Sequence, residues 1–387
     1  MPAPVLRLGA DAPGALTLPD AHPAPGTLYA PRGVYVDDQV MVVADSGNHR
    51  ILLWHTPPTT SGQPADVVLG QPDMTREGPC AGGTDAARGL HLPCGVAVCN
   101  GRLVVADAWN HRVLIWDTLP LQDFTAPDHV LGQLDAEAVE ANAGGPPSAT
   151  TFHWPYGFGL VEGVFWVADT GNRRVLGWDG LPEPGQPARY LLGQEAFTAR
   201  EENRGRPIGH GTYRWPHDIA GDAHRLLVAD AGDHRVVGWH GQPVPERDFD
   251  LVLGQEDVVT GTEWPYSAPG PVRLRFPYAL ALDGDRLAVA DTANNRVLLW
   301  DQLPLAGLGA PADRVLGQYD FNGGGENRWD AIRDDTLCWP YGLHLHGTHL
   351  AVADSGNNRV VVWDLEAPDP VLTHGSEAAL ALRGARP

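Results

Sequence analysis

Apolar runs of four to six residues, each stopped by Gly, Pro, Asn or Asp, return along this chain in a fixed order. The runs GVYV, GVAV, GFGL, DIAG, ALAL and GLHL each begin two residues after a proline. Next come VMVVAD, RLVVAD, VFWVAD, RLLVAD, RLAVAD and HLAVAD, each ending on an aspartate, and then a run of the form R-[IV]-[LV]-x-W. A V-L-G-Q run, or close to it, ends five of the units. Stretches this short, rich in β-branched residues and bounded by turn formers, predict strands rather than helices.

The order keeps strict time. The leading aspartates Asp45, Asp107, Asp169, Asp230, Asp291 and Asp354 are 62, 62, 61, 61 and 63 residues apart. Gly70, Gly132, Gly193, Gly254 and Gly317 each precede a recurrent proline by 23 residues, and each proline precedes its aspartate by 14. Almost the whole chain is therefore one array of six units. Such units bury their faces against their neighbours and close a ring. The expected fold is an all-β six-bladed propeller of four-stranded antiparallel blades around a central channel. It forms one domain over 1–387, with the array over 26–375 and a tail at 376–387.

Most of the recurrent residues are expected to be scaffold. Trp54, Trp116, Trp178, Trp239, Trp300 and Trp363 close the third strands and belong to the core. The Asp and Arg of every unit form the turn's own lattice, the carboxylate accepting backbone N–H bonds and the guanidinium bridging to a carboxylate. Gln71, Gln133, Gln194, Gln255 and Gln318 are read the same way. In the D-x-G-N-x-R turn, Gly or Asn is expected to supply positive φ. Two runs compete to close the last blade: the N-terminal VLRLGAD, which is favoured, and PDPVLTHG at 368–375.

These phrases resemble the NHL repeat, carried by Asn48-His49 with Arg50 and Asn110-His111 with Arg112. The resemblance covers roughly residues 26–375 and implies the propeller. It implies little about activity, because propellers carry unrelated functions, although many of this kind are interaction platforms.

Charge and composition narrow the partners. Against 48 acidic residues stand 27 basic ones, all arginine, for a net charge of −21, which argues against nucleic acid and anionic lipid. Without lysine there is no Schiff-base chemistry. No apolar run approaches the roughly 18 residues of a membrane span, and the N-terminal residues do not read as a secretory signal, so a cytoplasmic location is expected. Cys80, Cys94, Cys99 and Cys338 are too few and too irregular for a disulfide framework.

Function must be read where the repeat breaks, and the breaks should share one rim. The residue after the recurrent proline varies: Arg32, Cys94, Tyr156, His217, Tyr278 and Tyr341. His217 and the three tyrosines are candidate acid/base groups. Arg32 is the candidate partner of a substrate carboxylate, or of a protein acid such as Asp218. The W-P-H-D-I run around His217 is similar to the zinc-ligating motif of peptidyl-amidoglycolate lyases, in which three histidines are expected and one is found here. A divalent metal such as zinc would take His217 with Cys94, His91 and His153. Before the proline stand Trp154, Trp215, Phe276 and Trp339, with Trp264 and Trp329 in the preceding insertions; they either plug gaps between blades or form an aromatic wall. Trp109 replaces a turn glycine and should project from the rim. His344 should intrude into the channel opposite Tyr35, whereas His346 and His349 are expected at the surface.

Two functions follow. One is a small-molecule site with lyase, hydrolase or isomerase activity, with or without a metal. The other is a binding propeller for a metabolite or partner protein, without turnover.

Overall fold

The computed structural model describes residues 4–11, 22–241, 243, 248–263 and 268–367. Six antiparallel sheets follow one another around an axis. Blade three shows the pattern, running Pro155–Val161, Val164–Asp169, Arg174–Asp179 and Tyr190–Leu192 outward from the axis. Blade six takes its outermost strand from the N-terminus, where Pro4–Gly9 pairs with Arg359–Asp364. Joining the chain's two ends in one sheet locks the ring. The competing run at 368–375 lies outside the described residues. Blade four departs from four strands, because Gly307–Leu308, from the blade-five loop, adds in parallel to Leu251–Leu253.

The core lies between blades. Val42, Leu53 and Leu69 of blade one, for example, pack on Val96, Val105, Leu114 and Trp116 of blade two. The six strand-three tryptophans are buried, and Trp54, Trp116, Trp178 and Trp300 give their indole N–H to a carbonyl of the following loop at 3.0–3.2 Å. Losing one such ring costs about 3–5 kcal/mol.

The Asp–Arg lattice is as the sequence predicts. In blade one Asp45 accepts the Tyr29 N–H at 2.6 Å, the Asn48 amide at 2.9 Å and Arg50 Nε at 2.7 Å. Arg50 spends its other N–H groups on the carbonyls of Ala24, Thr27 and Met74. The glutamines likewise bridge strand ends to turns, as Gln71 does to the Asn48, His49 and Gly78 carbonyls.

The turn corrects one expectation. Positive φ falls on neither the Gly nor the Asn of G-N but on the next residue: His49, His111, Arg173, His234, Asn295 and Asn358. The glycine is needed for close approach instead, since a Cβ on Gly47 would lie 2.3 Å from the Tyr29 ring and 2.6 Å from its carbonyl. The left-handed residue also latches the next blade. His49 Nδ1 accepts the Leu92 N–H at 3.1 Å, His111 Nδ1 that of Trp154 at 3.0 Å and His234 Nδ1 that of Phe276 at 3.2 Å. Asn295 Oδ1 does the same for Trp339, and Asn358 Oδ1 for Ala30. His and Asn interchange here because each holds an acceptor one bond past Cγ and Asn tolerates the left-handed region.

Candidate functional site

Strand one leads each of blades three to six towards the axis, and its register slips just after the proline: between Pro155 and Phe158, Pro216 and Asp218, Pro277 and Ala279, and Pro340 and Gly342. A bulge re-aims the side chain it contains. Here it turns Tyr156, His217, Tyr278 and Tyr341 to the channel mouth.

These side chains meet in a closed layer. His217 is stacked between Tyr156 at 4.4 Å and 12° and Tyr278 at 4.3 Å and 22°. Tyr278 contacts Tyr341 at 4.6 Å, and the Arg32 guanidinium lies 4.8 Å from the Tyr341 ring centre. The Arg32 guanidinium also lies beside Cys94, whose thiol points at the Leu92 carbonyl at 3.3 Å.

Burial sets the electrostatics of the layer. It holds the His217 imidazole down at about 3 and lifts the Tyr156 phenol to about 12 and the Cys94 thiol to about 11. Burial also raises Tyr278 and Tyr341. His217 Nδ1 lies 2.9 Å from the Tyr278 carbonyl, an acceptor only, so Nδ1 carries the proton and Nε2 the lone pair. At neutral pH the layer is uncharged apart from Arg32.

The layer separates two compartments. Above it a vestibule of about 250 Å³ is walled by Trp154 and Trp215, floored by Tyr156, His217, Tyr278 and Tyr341, and edged by Thr170, Gly171 and Arg173. Below it a channel cavity of about 220 Å³ runs along the first strands of all six blades.

Arg173 was not singled out by the sequence reading, although a signal was present: it occupies the latch position, yet a guanidinium cannot accept a hydrogen bond. The entry to blade four is rebuilt accordingly. Trp215 lacks the positive φ of Leu92, Trp154, Phe276 and Trp339, and its N–H turns to Asp230 Oδ1 at 3.1 Å. Arg173 bonds the Gly171 carbonyl and lies 3.7 Å from Glu202, while its Nε finds no acceptor.

The remaining candidates are dispersed. Trp109 is 39% exposed, lies near Tyr156 and sits 5.8 Å from Trp154. Trp339 is half exposed, bonds Glu326 at 3.0 Å and lines neither compartment. His344 reaches the channel cavity but packs against Tyr35 at 4.5 Å, as a neighbour rather than across the channel, because blades six and one adjoin. His346 and His349 stand at the surface side. Trp264 lies outside the described residues. His91 contacts His49 and Trp109, and His153 contacts His111 and Trp154. They are thus held on the rim, away from the layer that contains His217 and Cys94. Among the described residues no three His, Cys, Asp or Glu side chains are grouped to hold a metal ion, and Arg32 makes no ion pair with Asp218 or any other acid.

Fold and turn chemistry together define a class: this chain is a six-bladed β-propeller, and one of its blades matches the NHL repeat. The NHL repeat family matches residues 90–116, which is blade two from Leu90 to the closing Trp116. Among curated proteins it is similar to NHL repeat-containing protein 2 of Bos taurus, 26% identical over 378 residues, covering 88% of this chain and 47% of that protein. The Homo sapiens protein of the same name is 25% identical over 373 residues, with the same coverage. The chain thus spans about half the length of these relatives. Among solved structures it is similar to a streptogramin B lyase (TM-score 0.46, 9% identity, 88% of this chain and 95% of that one). It is also similar to U3-55K (TM-score 0.44, 13% identity, 88% and 97%). Among the described residues no helix is long and apolar enough to cross a membrane.

Proposed function

We propose that this propeller binds a small planar ligand in the vestibule at its channel mouth and holds it without turnover. The observation that carries the reading is that the vestibule is built from positions where the repeat breaks. Trp154, Tyr156, Trp215, Tyr278 and Tyr341 offer ring faces or edges, and Arg173 places a guanidinium at the edge. An aromatic pocket with few polar groups suits a flat body bearing one acceptor or acidic group. Acid–base catalysis is the weaker reading, because a histidine held near 3 is a poor base at neutral pH and a phenol near 12 a poor acid.

A screen of planar acids by thermal shift and tryptophan fluorescence, with mass spectrometry of the compounds after incubation, tests both halves. Stabilisation lost in Trp215→Ala with unchanged compound supports the proposal. Chemical conversion contradicts it. A second reading, docking of a partner protein on the rim, draws on Tyr319 and Trp329, exposed by 74% and 82%. A partner that binds Trp215→Ala as well as it binds the parent would favour it.

A further inference from the structure

Two charged side chains that the vestibule does not use line the channel cavity beneath the aromatic layer. Arg32 enters from blade one and Asp218 from blade four. Blades one and four stand opposite each other in a six-membered ring, and among the described residues the two side chains line one cavity without forming an ion pair. Both mark breaks in the repeat. Arg32 is the one cation among the residues that follow the recurrent prolines, and Asp218 stands where the other blades carry Gly33, Gly95, Gly157, Ala279 and Gly342.

Neither charge is neutralised by protein. Among the described residues Arg32 makes no ion pair, and its Nε is buried without an acceptor. Its neighbours are the Tyr341 ring and the Cys94 thiol, neither an anion at neutral pH. Asp218 also lacks an ion pair among the described residues. Its oxygens accept the Ile219 and Leu280 N–H groups, each at 2.9 Å. Burial nevertheless lifts its carboxyl to about 7, as expected of a carboxylate short of positive charge. Two isolated opposite charges on facing walls of one cavity are costly unless something neutralises both.

We propose that the channel cavity is a second site, which takes a small zwitterion with its carboxylate on Arg32 and its ammonium on Asp218. At about 220 Å³ the cavity is smaller than the roughly 300–1,000 Å³ of sites for drug-sized ligands. The apolar walls of Val34, Val96, Ile219 and Leu280 suit a short methylene chain between the two ends.

The probes are unbranched ω-amino acids from glycine to 6-aminohexanoate, with propionate and propylamine as one-ended controls, titrated calorimetrically into the full chain at pH 8. One chain length should bind at least tenfold tighter than either control. Arg32→Gln should lose tenfold or more for the zwitterion and for propionate. Asp218→Asn should lose it for the zwitterion and propylamine but keep propionate. Should Asp218→Asn fail to fold, Asp218→Gly, the residue most blades carry there, serves in its place. No binding by any probe, a zwitterion bound no tighter than propionate, or an Asp218 variant with parental affinity for the zwitterion would overturn the proposal. The probes carry no ring, so a failed vestibule screen leaves this result standing, and the reverse holds too.

Discussion

Replacing His111 separates the latch from mere packing. His111 Nδ1 accepts the N–H of Trp154, a residue held at φ 53° that forms one wall of the vestibule. In His111→Ala that donor has no acceptor, which costs about 1–3 kcal/mol. His111→Asn should recover most of this, because Asn295 and Asn358 already do the same work in blades five and six. With roughly 2.1 cal/mol/K of unfolding entropy per residue, 387 residues give about 0.8 kcal/mol/K, so about 2 kcal/mol lowers Tm by about 2.5 °C. Calorimetry at pH 7.5 should therefore place His111→Ala about 2–3 °C below the parent and His111→Asn within about 1 °C of it.

The acceptor role also requires a neutral imidazole. Burial holds His111 down at about 4, below the unfolded value near 6.5. Its contribution is thus fully present above pH 6.5 and lost as pH falls towards 4. His111→Asn should show a shallower loss of stability over that window. Equal destabilisation by Ala and Asn, or an unchanged acid slope in the Asn variant, would refute the latch.

Other consequences follow from the same geometry. Asp169→Ala removes the partner of the fully buried Arg174 at 2.7 Å and should cost about 3–5 kcal/mol, measurable by urea denaturation; a loss under 1 kcal/mol would show that the lattice adds little. Removing residues 1–9 strips blade six of its outer strand and should give a chain that aggregates or melts well below the parent in light-scattering-monitored heating. Arg173→His supplies the missing latch acceptor and should weaken binding of planar acids at least tenfold while leaving Tm unchanged or raised, as read by titration and calorimetry.

The blades were legible because a propeller repeats its local chemistry. The Asp–Arg spacing, the closing tryptophans and the N-terminal run that completes blade six each rest on contacts along the chain or on a fixed offset within a unit. The site was legible only in part. Tyr156, His217, Tyr278 and Tyr341 could be placed at the mouth from their position after the proline, but their mutual stacking depends on the ring's radius and on the bulges. The same holds for Asp218, which the sequence offers as one partner for Arg32 and which the ring sets on the opposite side from blade one. The left-handed turn residue was misassigned because Gly and Asn carry the stronger propensity for positive φ. His49, His111 and His234 override it through a hydrogen bond to the next blade. Arg173 escaped notice for the converse reason, since it fits the motif by position and breaks it by chemistry.

The central claim is that the vestibule holds a ligand, and its most direct test is a crystal structure of the protein with the most stabilising planar acid from the screen. The account predicts electron density for the ring against Trp154 and Trp215 above the Tyr156–His217–Tyr278 stack, with the acid on Arg173. Density only on the outer edges of the blades, or a compound held by Tyr319 and Trp329 with the vestibule empty, would contradict it.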